Sequence, residues 1–131
     1  MRISTTVPLV LVAAVLLAGC GGGSTKASPT PTATVAGETT RLSLAADPSA
    51  LKFDKTTLTA PAGKVTIVMS NPSMMDHNVA IEGGGLDVAG QIVGHGGTST
   101  VSANLKAGTY TFFCAVDGHR QAGMQGTLTI T

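Results

Sequence analysis

A chain of 131 residues in which charged side chains make up 11% and the net charge is +1 offers no basic stripe for a nucleic-acid backbone. Nor does it carry the charge imbalance that steers a strongly charged partner. Its length suits one domain, and it holds two cysteines.

The first element in chain order is an N-terminal leader. Arg2 supplies a positive start, an apolar run extends from Val7 to Leu17, and small residues close it. That is the make-up of a secretion signal. The run is shorter than the roughly 20 residues a spanning helix needs. Its end, "LAGC" at 17–20, resembles a bacterial lipobox, in which cleavage precedes a cysteine that then carries lipid. The resemblance implies a signal peptide over 1–19, a lipidated Cys20 and a mature protein held to the outer side of a bacterial membrane, periplasmic or cell-surface. Lipid on Cys20 would leave Cys114 without a disulfide partner. Residues 20–38 are rich in Gly, Ser, Thr, Pro and Ala; they bury too little to repay ordering and read as a flexible tether.

Residues 39–131 form the domain, with six basic side chains balanced by six acidic ones. Its patterning has period two. Val65, Ile67 and Met69 share a face in "KVTIVMS" (64–70), and His77, Val79 and Ile81 share one in "HNVAIE" (77–82). Tyr110, Phe112 and Cys114 do so in "GTYTFFC" (108–114), and Leu128 and Ile130 in "GTLTIT" (126–131). These segments predict half-buried strands. Weaker strand signals occur at 41–45, 51–53, 56–60 and 98–103, while "LDVAGQIV" (86–93) has the composition of a short turn of helix. Turn residues separate the segments. Seven or eight short strands at this spacing predict an all-β sandwich or barrel, for which Greek-key wiring is the natural connection.

Strand parity converts the chemistry-bearing residues into a site. His77 and Cys114 both point inward near a strand end, and the loop 115–125 folds over them with His119 and Met124. A thiolate, two imidazoles and a thioether make a mixed soft and intermediate donor set, the composition of a blue-copper electron-transfer centre. Zinc, the alternative metal, prefers closed Cys/His sets and has little use for a thioether. His95 lies in a Gly-rich loop and reads as a solvent-exposed histidine. Met74 and Met75, just before His77, read as an apolar rim or as a secondary perch for Cu(I).

The segments "SNPSMMDHNVAI" (70–81) and "GTYTFFCAVDGHRQAGMQGTLTI" (108–130) resemble the ligand regions of the cupredoxins, the plastocyanin/azurin family, and "TAPAGKVTIVMSN" (59–71) is similar to the strand before the first ligand. The resemblance covers nearly all of 39–131. It implies a cupredoxin-like Greek-key β-sandwich holding one type 1 copper through His77, Cys114, His119 and Met124. It also implies that Asn78 ties the two ligand loops and that the Asp76 carbonyl approaches the copper, with its carboxylate in solvent. Phe113 reads either as outer packing or as an aromatic beside a through-bond electron route. The C-x4-H-x4-M spacing has a longer Cys-to-His gap than plastocyanin. "DGH" is closer to azurin, auracyanin and rusticyanin, and "HRQAGM" to plastocyanin.

The expected function is a membrane-anchored monomer that passes single electrons between a redox protein donor and acceptor. The alternative is a copper chaperone or store. Enzymes of the multicopper class need further His-rich sites, commonly His-x-His pairs; three histidines with no such pair argue against catalysis.

Overall fold

Alternate apolar residues need two facing layers to bury them, and the chain supplies both. The computed structural model describes residues 38–131; the leader, Cys20 and the tether lie outside the described residues. The eight strands are β1 (Thr40–Ala45), β2 (Thr57–Ala60), β3 (Gly63–Ser70), β4 (Ala80–Gly83), β5 (Leu86–Ala89), β6 (Thr98–Leu105), β7 (Gly108–Phe113) and β8 (Gln125–Ile130). The described residues contain no helix. One sheet has the order β1-β3-β6 and the other β2-β8-β7-β4-β5. The chain changes sheet after β1, β2, β3, β5 and β6, the wiring of a Greek-key sandwich.

Between the sheets lie Leu44, Val65, Ile67, Met69 and Val101 from one layer and Leu58, Ile81, Phe112, Leu128 and Ile130 from the other, all buried. Each such side chain contributes about 1.5–3 kcal/mol by leaving water. Phe53 joins them from a loop, its ring 5.6 Å from that of Phe112. On the outer surface Thr66 and Ser102, opposite each other in the β3–β6 register, share a 2.8 Å hydroxyl hydrogen bond.

Three sequence expectations are corrected. Residues 86–93 do not form a turn of helix; Leu86–Ala89 is strand β5, paired antiparallel with β4. The cause is the two-residue turn Gly84–Gly85, whose φ values of 59° and 83° suit a tight hairpin that glycine makes without strain. The segment 51–53 is no strand, and only Phe53 forms a bridge, to Ala46. There Asp47 accepts hydrogen bonds from the Ser49 and Ala50 amides, both at 2.9 Å, and curls the backbone. Finally, His77 does not begin a strand. It makes an isolated bridge with Val93, and β4 starts at Ala80. The intervening backbone is bound otherwise: the Val79 amide donates to Ser99 Oγ, and the Gly90 amide to the Val79 carbonyl. Residues 77–81 are therefore all buried rather than alternating.

A buried metal centre at one end of the sandwich

Cys114 follows β7 directly, so strand register delivers its side chain into the core, where it is a free thiol with no solvent exposure. The loop beyond it is stitched to itself. The Cys114 amide donates to the Met124 carbonyl at 3.0 Å, the Met124 amide to the His119 carbonyl at 3.1 Å, and the His119 amide to the Val116 carbonyl at 3.1 Å. Gly123, with φ of 109°, makes the reversal that returns the chain to Met124. The C-x4-H-x4-M spacing is thus two successive small turns. They link Cys114, His119 and Met124 through successive main-chain bonds, with Met124 fully buried at the end of the loop.

His77 arrives from the other loop. Its Nδ1 lies 3.8 Å from Cys114 Sγ and 3.1 Å from His119 Nδ1, and His119 Nδ1 lies 3.6 Å from the same sulfur. The three donor atoms all fall within 4.8 Å of one another. Donors bound at about 2.0–2.3 Å to one ion in a trigonal plane sit roughly 3.5–3.8 Å apart. Both sulfur–nitrogen separations fit that triangle, and the nitrogen pair is somewhat tighter. Met124 completes the set as the weak thioether. The residues therefore fit copper better than zinc, because a thioether adds little for zinc and suits Cu(I).

Protonation favours the same use. Burial, then the charge of His119, push the His77 imidazole below the ordinary histidine pKa, with Asp76 opposing. His77 is accordingly neutral near pH 7, the form that ligates metal. Its Nε2 is buried without a hydrogen-bond partner among the described residues, so the polar contacts of the ring are all made through Nδ1.

Asn78 joins the two loops. Its Oδ1 accepts from the Ala115 amide at 2.7 Å, and its Nδ2 donates to the Gly90 carbonyl at 3.0 Å. Its own amide points at Cys114 Sγ, 3.5 Å away, and so ties the first loop to the sulfur directly. Asp76 is exposed, with its carboxylate beside Gly94. Phe113 is covered by Arg120, whose Cζ stands 4.3 Å from the ring centroid.

Sequence reasoning missed two supports of the site. Asn71, almost fully buried, donates through Nδ2 to the Met75 and Val93 carbonyls, both at 2.8 Å, and accepts from the Ser73 amide. This shapes the loop that leads into His77; the "NPS" turn signal marked the loop but not its internal bonding. His95 is exposed and has contacts to the Pro72 and Ser73 carbonyls at 3.1 and 3.2 Å, so it pins the same loop from outside. The second missed support is Arg120, for which no sequence signal existed.

Comparison with known proteins agrees with this geometry. The family model for copper binding proteins of the plastocyanin/azurin family matches residues 40–131. Auracyanin-B of Chloroflexus aurantiacus is 30% identical over 145 residues, covering 87% of this chain and 59% of that relative. The chain thus spans 59% of the length of auracyanin-B. Plastocyanin of Nostoc punctiforme is 33% identical over 114 residues, covering 77% of this chain and 78% of the relative. Among solved structures, dithionite-reduced auracyanin from Roseiflexus castenholzii superposes with a TM-score of 0.64 at 26% identity, over 72% of this chain and 99% of that one. Auracyanin A of Chloroflexus aurantiacus gives 0.63 at 26% identity, over 72% of this chain and 100% of that one.

Proposed function

Because the chain belongs to the plastocyanin/azurin family of copper-binding proteins, we propose that it is a membrane-anchored monomer carrying single electrons between a redox protein donor and acceptor. The observation that carries the reading is the convergence of His77 Nδ1, Cys114 Sγ and His119 Nδ1 on one buried point, with Met124 closing the same loop. Copper bound there supplies a one-electron Cu(I)/Cu(II) couple.

The protein's share is to keep its donors still. His77, Cys114 and Met124 have no solvent exposure, and the main-chain bonds of the loop and the Asn78 tie limit their movement. Ligands that move little between two oxidation states lower the cost of each transfer. His119 is the half-buried member of the set, so it offers the route between the buried donors and a partner. Ala122 and Gly123 beside it are exposed and uncharged, as are Met74 and Met75 on the other loop. An uncharged surface suits the near-neutral domain and brief encounters with redox proteins.

The proposed location rests on the leader. The lipobox-like "LAGC" supports an extracytoplasmic protein held to the membrane through lipid on Cys20. Membrane fractionation checks this: Cys20→Ser is expected to release the protein to the soluble fraction, and an unchanged membrane association would contradict the anchor.

One observation favours copper delivery or storage instead. Met74 is 82% exposed and Met75 41%, close in sequence to His77, as a metal-collecting surface would require. Voltammetry of the copper-loaded protein, paired with a chelator challenge, separates the readings. A carrier gives a reversible one-electron wave and loses copper slowly. An absent wave with rapid release to the chelator would replace electron transfer by delivery. The carrier reading includes no turnover of substrate, so the wave should show no catalytic current with oxygen or nitrite.

A further inference from the structure

We propose that Arg120 is a positioning residue for the copper site, a single side chain that holds the neighbours of all three loop ligands at once. Its guanidinium lies over the Phe113 ring, 4.3 Å from the centroid. Its Nε donates to Gln125 Oε1 at 3.1 Å. Nη1 donates to Glu82 Oε2 at 2.9 Å, and Nη2 forms a second bond to Glu82 Oε1. Phe113 precedes Cys114, Arg120 follows His119, and Gln125 follows Met124. Each ligand of the loop is therefore one peptide from a point that this guanidinium grips.

Glu82 makes the grip effective because it belongs to the sheet rather than to the loop. It sits on β4, paired with Thr111 of β7, and so is fixed by a ladder on both sides. An open depression of about 180 Å³ lies against the loop's first half, lined by Phe113, Cys114, Val116 and Arg120 among others. Val116 packs that stretch against the core, and the side-chain bridge from Arg120 to Glu82 adds a tie from the loop to the sheet.

Only arginine can make all these contacts together. Its planar fork pairs both carboxylate oxygens while the same plane stacks on an aromatic face, and Nε remains free to donate along a third direction. Lysine would keep the charge and lose the fork. The pair is partly exposed, with side chains 36% and 34% accessible, so its worth lies in fixing the loop more than in global stability. The inference rests on the copper reading for its purpose, but the latch itself can be measured without metal.

The test compares Arg120→Lys and Glu82→Gln with the parent protein. Amide hydrogen exchange of residues 114–124 is followed in the metal-free protein, and copper release to excess chelator in the loaded one. Loop exchange is expected to rise about twofold to fivefold in both variants, with the β3, β6 and β7 amides unchanged. Copper release should accelerate by a similar factor. Parent-like exchange and release in Arg120→Lys would show that charge alone matters and overturn the latch. Exchange that rises equally across every strand would also overturn it, because that marks general destabilisation. Copper release that fails to respond while loop exchange rises would leave a latch unconnected to the metal, and so would refute the positioning role. A protein that bound no copper at all would instead overturn the proposed function, leaving the exchange result to stand by itself.

Discussion

Gly126→Ala is expected to destabilise the domain by about 3 kcal/mol, at or beyond the upper end of ordinary overpacking. Gly126 faces Phe112 directly in the β7–β8 register. A Cβ at 126 would stand 2.2 Å from Phe112 Cζ and 2.6 Å from the Thr56 carbonyl oxygen, so the clash has two walls. Neither wall yields easily. Phe112 is fully buried against Phe53, and Thr56 O already accepts the Thr127 amide at 2.9 Å. Chemical denaturation reads the loss as a lowered midpoint with an unchanged slope. Pairing the change with Phe112→Leu is expected to recover part of the stability, so that the double variant loses less than the sum of the two single ones. Strict additivity would show that the ring is not the obstacle.

The position matters for the site because Gly126 is two residues beyond Met124. The same β7–β8 pair carries Cys114 at one strand's end and Met124 at the start of the other, and the Cys114 amide to Met124 carbonyl bond closes it. A strand forced outward at 126 would open that closure. Core packing and ligand geometry are thus one structural problem in this fold.

The parts of this arrangement legible in the sequence are those governed by local periodicity. Alternation placed β3, β7 and β8, with β6 a weaker signal, and the same parity brought the inward-facing Cys114 near a strand end with the short loop to Met124 beyond it. His77 was legible as a donor although its local structure was not. Its inward direction comes from an isolated bridge to Val93, from Ser99 Oγ accepting the Val79 amide and from the Asn78 side chain donating to the Gly90 carbonyl, none of which leaves a period-two trace. Strand β5 was obscured because "LDVAGQIV" reads equally well as helix; the preceding pair of glycines decides the matter by requiring a tight hairpin.

Long-range side-chain pairing was not legible at all. Arg120 and Glu82 are 38 residues apart, and nothing in either segment marks them as partners. The Asn71 network is shorter in range, yet it depends on the loop 93–97 coming back beside 71–76, which tertiary structure alone determines. Single-sequence patterning sees faces and turns. It does not see which polar group closes on which.

The second large effect concerns the thiolate. Cys114 is the one donor that gives a Cu(II) centre its intense visible absorption, because charge moves from sulfur to metal on excitation. Serine keeps the size and loses the sulfur, so Cys114→Ser is expected to remove the band entirely while leaving a folded sandwich. Its hydroxyl is a harder donor and suits Cu(I) less well, so affinity for the reduced metal should fall as well. The direct measurement is therefore the visible and EPR spectra of the protein after addition of Cu(II), recorded beside those of Cys114→Ser. An intense band and a type 1 EPR signal in the parent, both lost in the variant, are the predicted result; a parent without the band, or a variant that retains it, would contradict the copper site.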